Sequence, residues 1–581
     1  MAHFIETRAS LVTDAIAGLL AAGGGRLARL DGDPGIRVVL RSELDPGKVA
    51  VISGGGSGHE PAHAGFVGPG MLSAAVCGDV FASPSVDAVL AGILAVTGPA
   101  GCLLIIKNYA GDRLNFGLAA ERARALGRKV ETVIVADDIA LPEAKQPRGV
   151  AGTLFVHKIA GHAAEAGAPL ETVAALARRV AASAQSLGIA VSTATIPGSP
   201  RSERLAEGQA ELGLGIHGEP GVERIALPKA GDLARLMTER LTGAGPLALL
   251  VNNLGSATAL EMQVLTQAVL ATELGRRVRL LLGPAALMTA LDMHGASLSI
   301  LPLDDALEAA LLAPVPMPAW PGATRIAPPV LRPLPEGLAG ETFAPSRDAV
   351  AGARIAAVAR ALIAAEGALN ALDAKVGDGD TGTTFAGAAR AVEADLDRLP
   401  QADPPALCRA LAERIGRAVG GSSGVLASIF FAATAASLSG GAAWPDALAQ
   451  GVARVRDYGG AGLGDRTMLD ALIPALDALK SGGLAAAAAA ARAGAAATAR
   501  WTGPRPAVPA TSRLRISPAW RIRGQPGSRR RSRPWRRPGK DSPNARSVVR
   551  AGRRPTQRVF CFADARPSLN EHRAHRERCA P

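Results

Sequence analysis

Val49-Ala-Val-Ile-Ser53-Gly-Gly-Gly-Ser-Gly-His59-Glu60-Pro61 joins a short apolar run to a glycine-rich segment. The run has the length and β-branched content of a buried strand. The bare glycines after it let backbone N–H groups approach a small polar ligand closely. No Gly-Lys-Ser/Thr follows, so the segment is not a P-loop, and His59 stands where the last glycine of a dinucleotide fingerprint belongs. The same arrangement recurs downstream. An apolar run over 101–107 ends at Asn108-Tyr109, and another over 130–136 ends at Asp137-Asp138, each followed by a helical pattern. That predicts an α/β unit over 1–190 with polar groups at the carboxyl edge of a mostly parallel sheet. Residues 191–320 read as a second α/β unit, with strands at 247–252 and 279–282.

Beyond these units the text changes twice. Residues 321–347 lie in a proline-rich stretch that reads as a linker. Residues 348–500 carry long Ala/Leu helical patterns and no strand pattern, which predicts a helical bundle whose loops carry the chemistry. After that, Arg, Pro, Ser and Gly dominate, as in Arg529-Arg-Arg-Ser-Arg-Pro-Trp-Arg-Arg-Pro, and 501–581 reads as a disordered basic tail. The overall charge of +13 therefore misleads. The tail holds 21 of the 64 Lys and Arg but only 4 of the 51 Asp and Glu, leaving 43 basic and 47 acidic residues in the first 500. The body is mildly acidic, and the charge run in the tail reads as solvated rather than as a nucleic-acid site. The five cysteines are scattered and lack CxxC spacing, which excludes a disulfide framework and a structural zinc site. The first residues lack a basic region followed by an apolar stretch, and no run approaches eighteen uninterrupted apolar residues, so a cytoplasmic protein without a membrane partner is expected.

Four constellations carry chemistry. Asp373, Asp378 and Asp380 crowd three carboxylates into eight residues around Gly377-Asp378-Gly379-Asp380-Thr381-Gly382. Like charges this close repel unless a cation holds them, and hard oxygen donors suit Mg²⁺ or Ca²⁺. An EF-hand needs an acidic residue at its twelfth position, which here is Ala389, so a Mg²⁺ completed by water and nucleotide phosphate is the better fit. His59-Glu60-Pro61-Ala62-His63 matches the zinc-protease pattern HExxH in form only, because Pro61 drives Glu60 out of the helical region. Lys107-Asn-Tyr109-Ala-Gly-Asp112 offers a cation and a carboxylate at a strand end; read blandly it is a surface ion pair. Gly213-Leu-Gly-Ile-His217-Gly-Glu219-Pro-Gly221 sets a histidine among turn formers, where a neutral imidazole can attack a carbonyl, and His59 and His217 could share one pocket. Arg148-Gly-Val-Ala-Gly152-Thr153 is a further glycine-punctuated loop without an assigned role.

Taken in order along residues 1–497, these motifs resemble the single-chain, ATP-dependent dihydroxyacetone (glycerone) kinases. The resemblance implies a two-part α/β acceptor-binding domain followed by an all-α ATP-binding domain. It implies phosphorylation of dihydroxyacetone or a close short ketose, held as a hemiaminal on His217. Asp112 would be the general base, His59 a hydrogen-bonding partner of the substrate, and Gly56, Ser57, Gly58 and Lys107 further acceptor contacts. Asp373, Asp378 and Asp380 would hold Mg²⁺, with Thr381, Ser422, Ser423, Gly424, Thr467 and Met468 around ATP. Gly420-Gly-Ser-Ser-Gly424 would cradle phosphate at a helix start. Family members pair their chains, so a homodimer is implied. The sequence departs from the family after Arg500, where the family's Gly-Arg-Ala-Ser-Tyr and Asp-Pro-Gly-Ala patterns do not occur. A reading-frame change in a GC-rich gene near residue 500 is the expectation, testable by resequencing. The corresponding alternative function is a ketose-binding or regulatory protein with an impaired kinase domain.

Overall fold

The computed structural model describes residues 3–499, apart from 142, 144, 145, 201–203, 337, 339 and 376, and gives no side-chain account of Ser422 and Ser423. The expected basic tail at 501–581 lies outside the described residues. The described residues divide into two compact units, one ending at 333 and the other beginning at 334.

In the first unit six strands form one sheet: β1 (Leu27–Arg29), β2 (Val38–Arg41), β3 (Ala50–Ser57), β4 (Ala74–Val80), β5 (Cys102–Lys107) and β6 (Val130–Val135), in the order β1-β2-β4-β3-β5-β6. The β4-β3-β5-β6 core is parallel, as the strand-then-helix grammar requires, and β1 and β2 add antiparallel pairs at one edge. A second sheet holds β7 (Gln185–Ala190), β8 (Gln209–Leu212), β9 (Glu223–Ala226), β10 (Leu247–Asn253), β11 (Val278–Ala285), β12 (Gly295–Pro302) and β13 (Ala323–Arg325), in the order β13-β11-β10-β12-β7-β8-β9. Only the β10–β11 pair in it is parallel.

Among the described residues eight α-helices belong to this unit: α1 (Leu11–Ala22), α2 (Val86–Val96), α3 (Ala110–Ala125), α4 (Thr153–Glu165), α5 (Leu170–Ser183), α6 (Ala230–Thr238), α7 (Ala259–Leu270) and α8 (Asp305–Leu312). α2 and α3 cover one face of the first sheet over Val38, Ile52, Val76 and Leu104. α4 and α5 cover its other face, and their apolar residues share one core with Leu250 and Leu282 of the second sheet. Helix α4 is buried from Thr153 through Gly161, His157 and Lys158 included. Its Gly161 is required by contact, since a Cβ there would meet the Met71 backbone.

Three expectations are adjusted by these facts. The glycine-rich segment belongs to the sheet at its start, not after the strand: β3 continues through Gly54–Gly56, and Gly54 packs so closely on the Val76 backbone that no Cβ fits between them. Strand β7 falls before the expected boundary at 190/191 yet pairs within the second sheet, and the shared core makes the two α/β parts one compact unit. The proline-rich stretch begins inside the fold, with Met317 and Trp320 buried and β13 paired to β11.

In the second unit the described elements from 348 on are helical: α9 (Ala349–Ala364), α10 (Glu366–Asp373), α11 (Thr381–Ala394), α12 (Pro404–Ala418), α13 (Gly421–Ser439), α14 (Trp444–Gly459) and α15 (Leu469–Thr498), with one short 3₁₀ turn. Local capping sets their starts. Asp348 accepts from Val350 and Ala351 N–H, and Asp403 caps α12 with Pro404 in its first turn. Val392, Leu407, Leu411 and Ile415 form one core, and Val452, Val455 and Leu469 a smaller one. By length and composition α15 could cross a membrane, as could the bent pair α9–α10 if taken as one span. The left-handed Gly483 breaks α15.

Candidate functional site

The parallel strands of the first sheet end together, and their last residues begin the site. Lys107 closes β5 and is fully buried. Three residues later α3 starts, placing Asp112 in its first turn at 3 % exposure. The bland reading of Lys107 and Asp112 as a surface ion pair is therefore excluded. Asp112 Oδ1 accepts a hydrogen bond from Ser83 Oγ. A methyl group placed on Gly55 would lie 3.4 Å from both Lys107 Nζ and Asp112 Oδ2, so the missing side chain leaves space between a cation and a carboxylate. Lys107 Nζ has no hydrogen-bond partner in the protein. Burial lowers its pKa, opposed by the charges of Asp112, Glu219, Asp137 and Glu60. An unpartnered buried ammonium is costly, and it marks a place where an oxygen ligand would be stabilising.

His59 and His217 meet, as the two motifs suggested. Their Nε2 atoms are 3.0 Å apart. His59 comes from the end of the glycine segment and is fully buried, while His217 sits in the β8–β9 loop with its side chain one-fifth exposed. Each ring is fixed at its other nitrogen by a pure acceptor. The His59 Nδ1–H donates to the Thr289 carbonyl at 2.7 Å, and the His217 Nδ1–H donates to Glu219 Oε1 at 2.9 Å. Two neutral rings held this way would oppose lone pair to lone pair across the Nε2 contact. A shared proton, or a polar ligand group inserted between them, relieves it. Burial first, then the charges of Lys107 and His217, holds His59 well below the ordinary imidazole range. Phe81 packs on both rings and Tyr109 on the His217 ring.

Glu219 is the anchor of His217, accepting from its ring and, through Oε2, from its backbone N–H at 3.0 Å. Burial, the largest single influence, pushes the Glu219 carboxyl up, but the His217 bond and charge and two backbone N–H groups outweigh it and hold it at about 2. Its folded value thus lies below the 4.5 of the free side chain. The stability this bond contributes is complete above pH 4.5 and is lost as pH falls toward 2. A carboxyl-carbon NMR titration of Glu219 should show no step above pH 4.5; a step in that range would contradict the anchored geometry.

The remaining acceptor-side candidates differ in use. Gly56 faces the Phe81–Ala82 backbone, with no room for a Cβ. Gly58, at φ +102°, lies under the Phe81 ring and receives the Leu291 N–H on its carbonyl. The Ser57 hydroxyl is occupied by the Gly78 carbonyl at 2.8 Å, so it acts within the fold, leaving its backbone for a ligand. The HExxH resemblance fails here: both His59 nitrogens are engaged, Glu60 Oε2 accepts from Gly58 N–H, and His63 packs against His157.

In the second unit Asp373, Asp378 and Asp380 each bring one carboxylate oxygen within 4.8 Å of the others, the one such acidic, histidine or cysteine group among the described residues. Asp373 ends α10, and its Oδ2 accepts from the N–H groups of Gly379, Asp380 and Thr381. It therefore folds the turn that presents the other two. The Asp378 charge is the main cause of an upward shift at Asp380, which expresses the crowding. Exposed hard oxygens of one sign fit a divalent cation such as Mg²⁺. Thr381 opens α11 beside them. Gly420 caps α13, so the first N–H groups of that helix are available to an anion, and Gly424 packs on Val419. The side chains of Ser422 and Ser423 lie outside the described residues. Thr467 and Met468 form the turn before α15, where Asp470 accepts from Gly464 and Thr467 N–H.

Several groups here were not singled out by the sequence as site residues. Thr289 and Phe81 lie far from the motifs and reach them only through tertiary packing. Ser83, close before the N-cap Ser85 of α2, and Asp470, buried in the first turn of α15, are visible as polar residues at helix starts, which is a weak signal.

The Dak1 domain family matches residues 18–319, and the DAK2 domain family matches 375–504. The chain is 50% identical over 486 residues to the dihydroxyacetone kinase of Citrobacter freundii, covering 82% of this chain and 88% of that protein. It is 46% identical over 509 residues to a putative 3,4-dihydroxy-2-butanone kinase of Solanum lycopersicum, covering 81% and 85%. The crystal structure of the C. freundii dihydroxyacetone kinase in complex with AMP-PNP and Mg²⁺ superposes with a TM-score of 0.67 at 48% identity, over 86% of this chain and 95% of that one.

Proposed function

The chain belongs to the family of single-chain, ATP-dependent dihydroxyacetone kinases, and on that premise we propose that it transfers the γ-phosphoryl group of ATP to a terminal hydroxyl of dihydroxyacetone held covalently on His217. The reading rests on the His59–His217 Nε2 contact together with the space that a bare Gly55 leaves between Lys107 and Asp112. The His217 Nε2 lone pair forms a bond to the ketone carbon. The carbonyl π pair moves to oxygen, which takes up a proton relayed from water through His59 Nε2, giving a hemiaminal. Glu219 faces the resulting imidazolium, and Lys107 lies beside the hydroxyl-bearing end. Asp112 Oδ2 then takes the proton of the terminal hydroxyl as its oxygen bonds to the γ-phosphorus and ADP departs. Glycerol lacks a carbonyl and cannot make the first bond, so the chemistry itself selects carbonyl compounds over glycerol.

Asp373, Asp378 and Asp380 would hold Mg²⁺, which offsets phosphate charge when bound. Thr381, the start of α13 and the Thr467–Met468 turn would contact the nucleotide. Pairing of two chains and a cytoplasmic site of action complete the proposal. A coupled assay of purified protein with ATP, Mg²⁺ and dihydroxyacetone tests it directly: sugar-dependent ADP release that chelation abolishes is expected. Asp373→Asn should weaken Mg²⁺ by about 10–100-fold, the scale for losing an orienting group at a metal site, because it removes a ligand and loosens the turn together. ADP release independent of ketose, or Mg²⁺ affinity untouched by Asp373→Asn, would reject the assignment.

A further inference from the structure

The His217 loop hangs from the second sheet, while His59 and Asp112 come from the first. Something must set the one against the other. Arg148 bridges them. It follows β6 of the first sheet, and its Nε donates to Asp138 Oδ2 at 2.7 Å at the end of that strand. Its Nη2 donates to the Gly213 carbonyl at 2.8 Å, in the loop that carries His217. Its Nη1 is buried without a hydrogen-bond partner. A Cβ on Gly215 would lie 2.7 Å from that Nη1 and would collide with the Glu219 carboxylate, so the guanidinium borders Glu219 across a bare stretch of backbone. The pair with Asp138 is sheltered, at 11% and 7% side-chain exposure, so solvent does little to screen it.

We propose that Arg148 is a positioning residue for covalent capture: it fixes the His217 loop and the Glu219 carboxylate so that His217 Nε2 meets the ketone carbon. The assignment rests on the hemiaminal reading of His217. A guanidinium suits the task because it bonds in two directions from one rigid plane, which an ammonium cannot do. Arg148 touches no reacting atom, so its loss falls on acceptor capture and spares the phosphoryl step at Asp112.

The test compares wild type, Arg148→Met and Arg148→Lys by steady-state kinetics and by carbon NMR with dihydroxyacetone labelled at the carbonyl carbon. In wild type the label should move from the ketone region to that of a tetrahedral carbon. In Arg148→Met the KM for dihydroxyacetone should rise by about tenfold or more, the tetrahedral signal should weaken in step, and kcat should fall much less. Arg148→Lys should recover part of the loss, and it carries the test if the Met variant does not fold. A wild type without the tetrahedral carbon overturns the covalent reading, and this role with it. A wild type with that signal, beside variants of unchanged KM and signal, overturns the positioning role alone. Variants that lose only thermal stability, with unaltered kinetics, make Arg148 a structural clasp and also overturn it.

Discussion

Asp112→Asn should lower kcat by roughly 10²–10⁴-fold, the range in which a positioned general base acts. The substitution keeps size and shape, so the Ser83 contact and the start of α3 can persist. What is lost is the ability of Oδ2 to accept the hydroxyl proton beside Lys107. Covalent capture of the ketone needs no base at that position, so the tetrahedral-carbon signal should survive at nearly wild-type strength. Steady-state kinetics beside carbon NMR separates the two steps. A kcat close to wild type would remove Asp112 from the proton transfer.

His217→Ala should act on the other step. Without the imidazole the ketone is held only by hydrogen bonds, and kcat/KM should fall by roughly 10²-fold or more, as expected when a group that fixes the reacting geometry is removed. Discrimination against glycerol should shrink at the same time, because no bond to carbon remains to reward a carbonyl. Turnover with saturating dihydroxyacetone and with glycerol measures both effects. Retained preference for the ketone would assign selectivity elsewhere. His59→Ala is a weaker intervention, since His59 contributes a contact and a proton rather than the bond.

Much of this site was legible in the chain because it is built from strand ends. A strand followed by Lys107 or by the glycine run announces a polar cluster at the carboxyl edge of a parallel sheet, wherever its neighbours fall. The helical second unit was equally plain, and the carboxylates around Gly377 and Gly379 lie as close together as their spacing in the sequence suggested. The misreadings have physical causes. The glycines at 54–56 read as room for a ligand, yet glycine also permits two strands to press backbone to backbone, which is the use of Gly54 beside Val76. The second sheet alternates direction through β12, β7, β8 and β9, which an apolar run cannot reveal, because strand direction depends on the connection and not on composition. Arg148 drew no role from its sequence. A long side chain reports its partners only once Asp138 and Gly213 are folded beside it. The Thr289 carbonyl that fixes the His59 tautomer is a backbone atom more than two hundred residues away, and no motif encodes it.

A crystal of the protein soaked with dihydroxyacetone tests the central claim most directly. Continuous density joining the ketose carbonyl carbon to His217 Nε2, with the His59 ring displaced from its present contact, is the predicted result. A ketose lying planar at van der Waals distance from an undisturbed His59–His217 pair would contradict it.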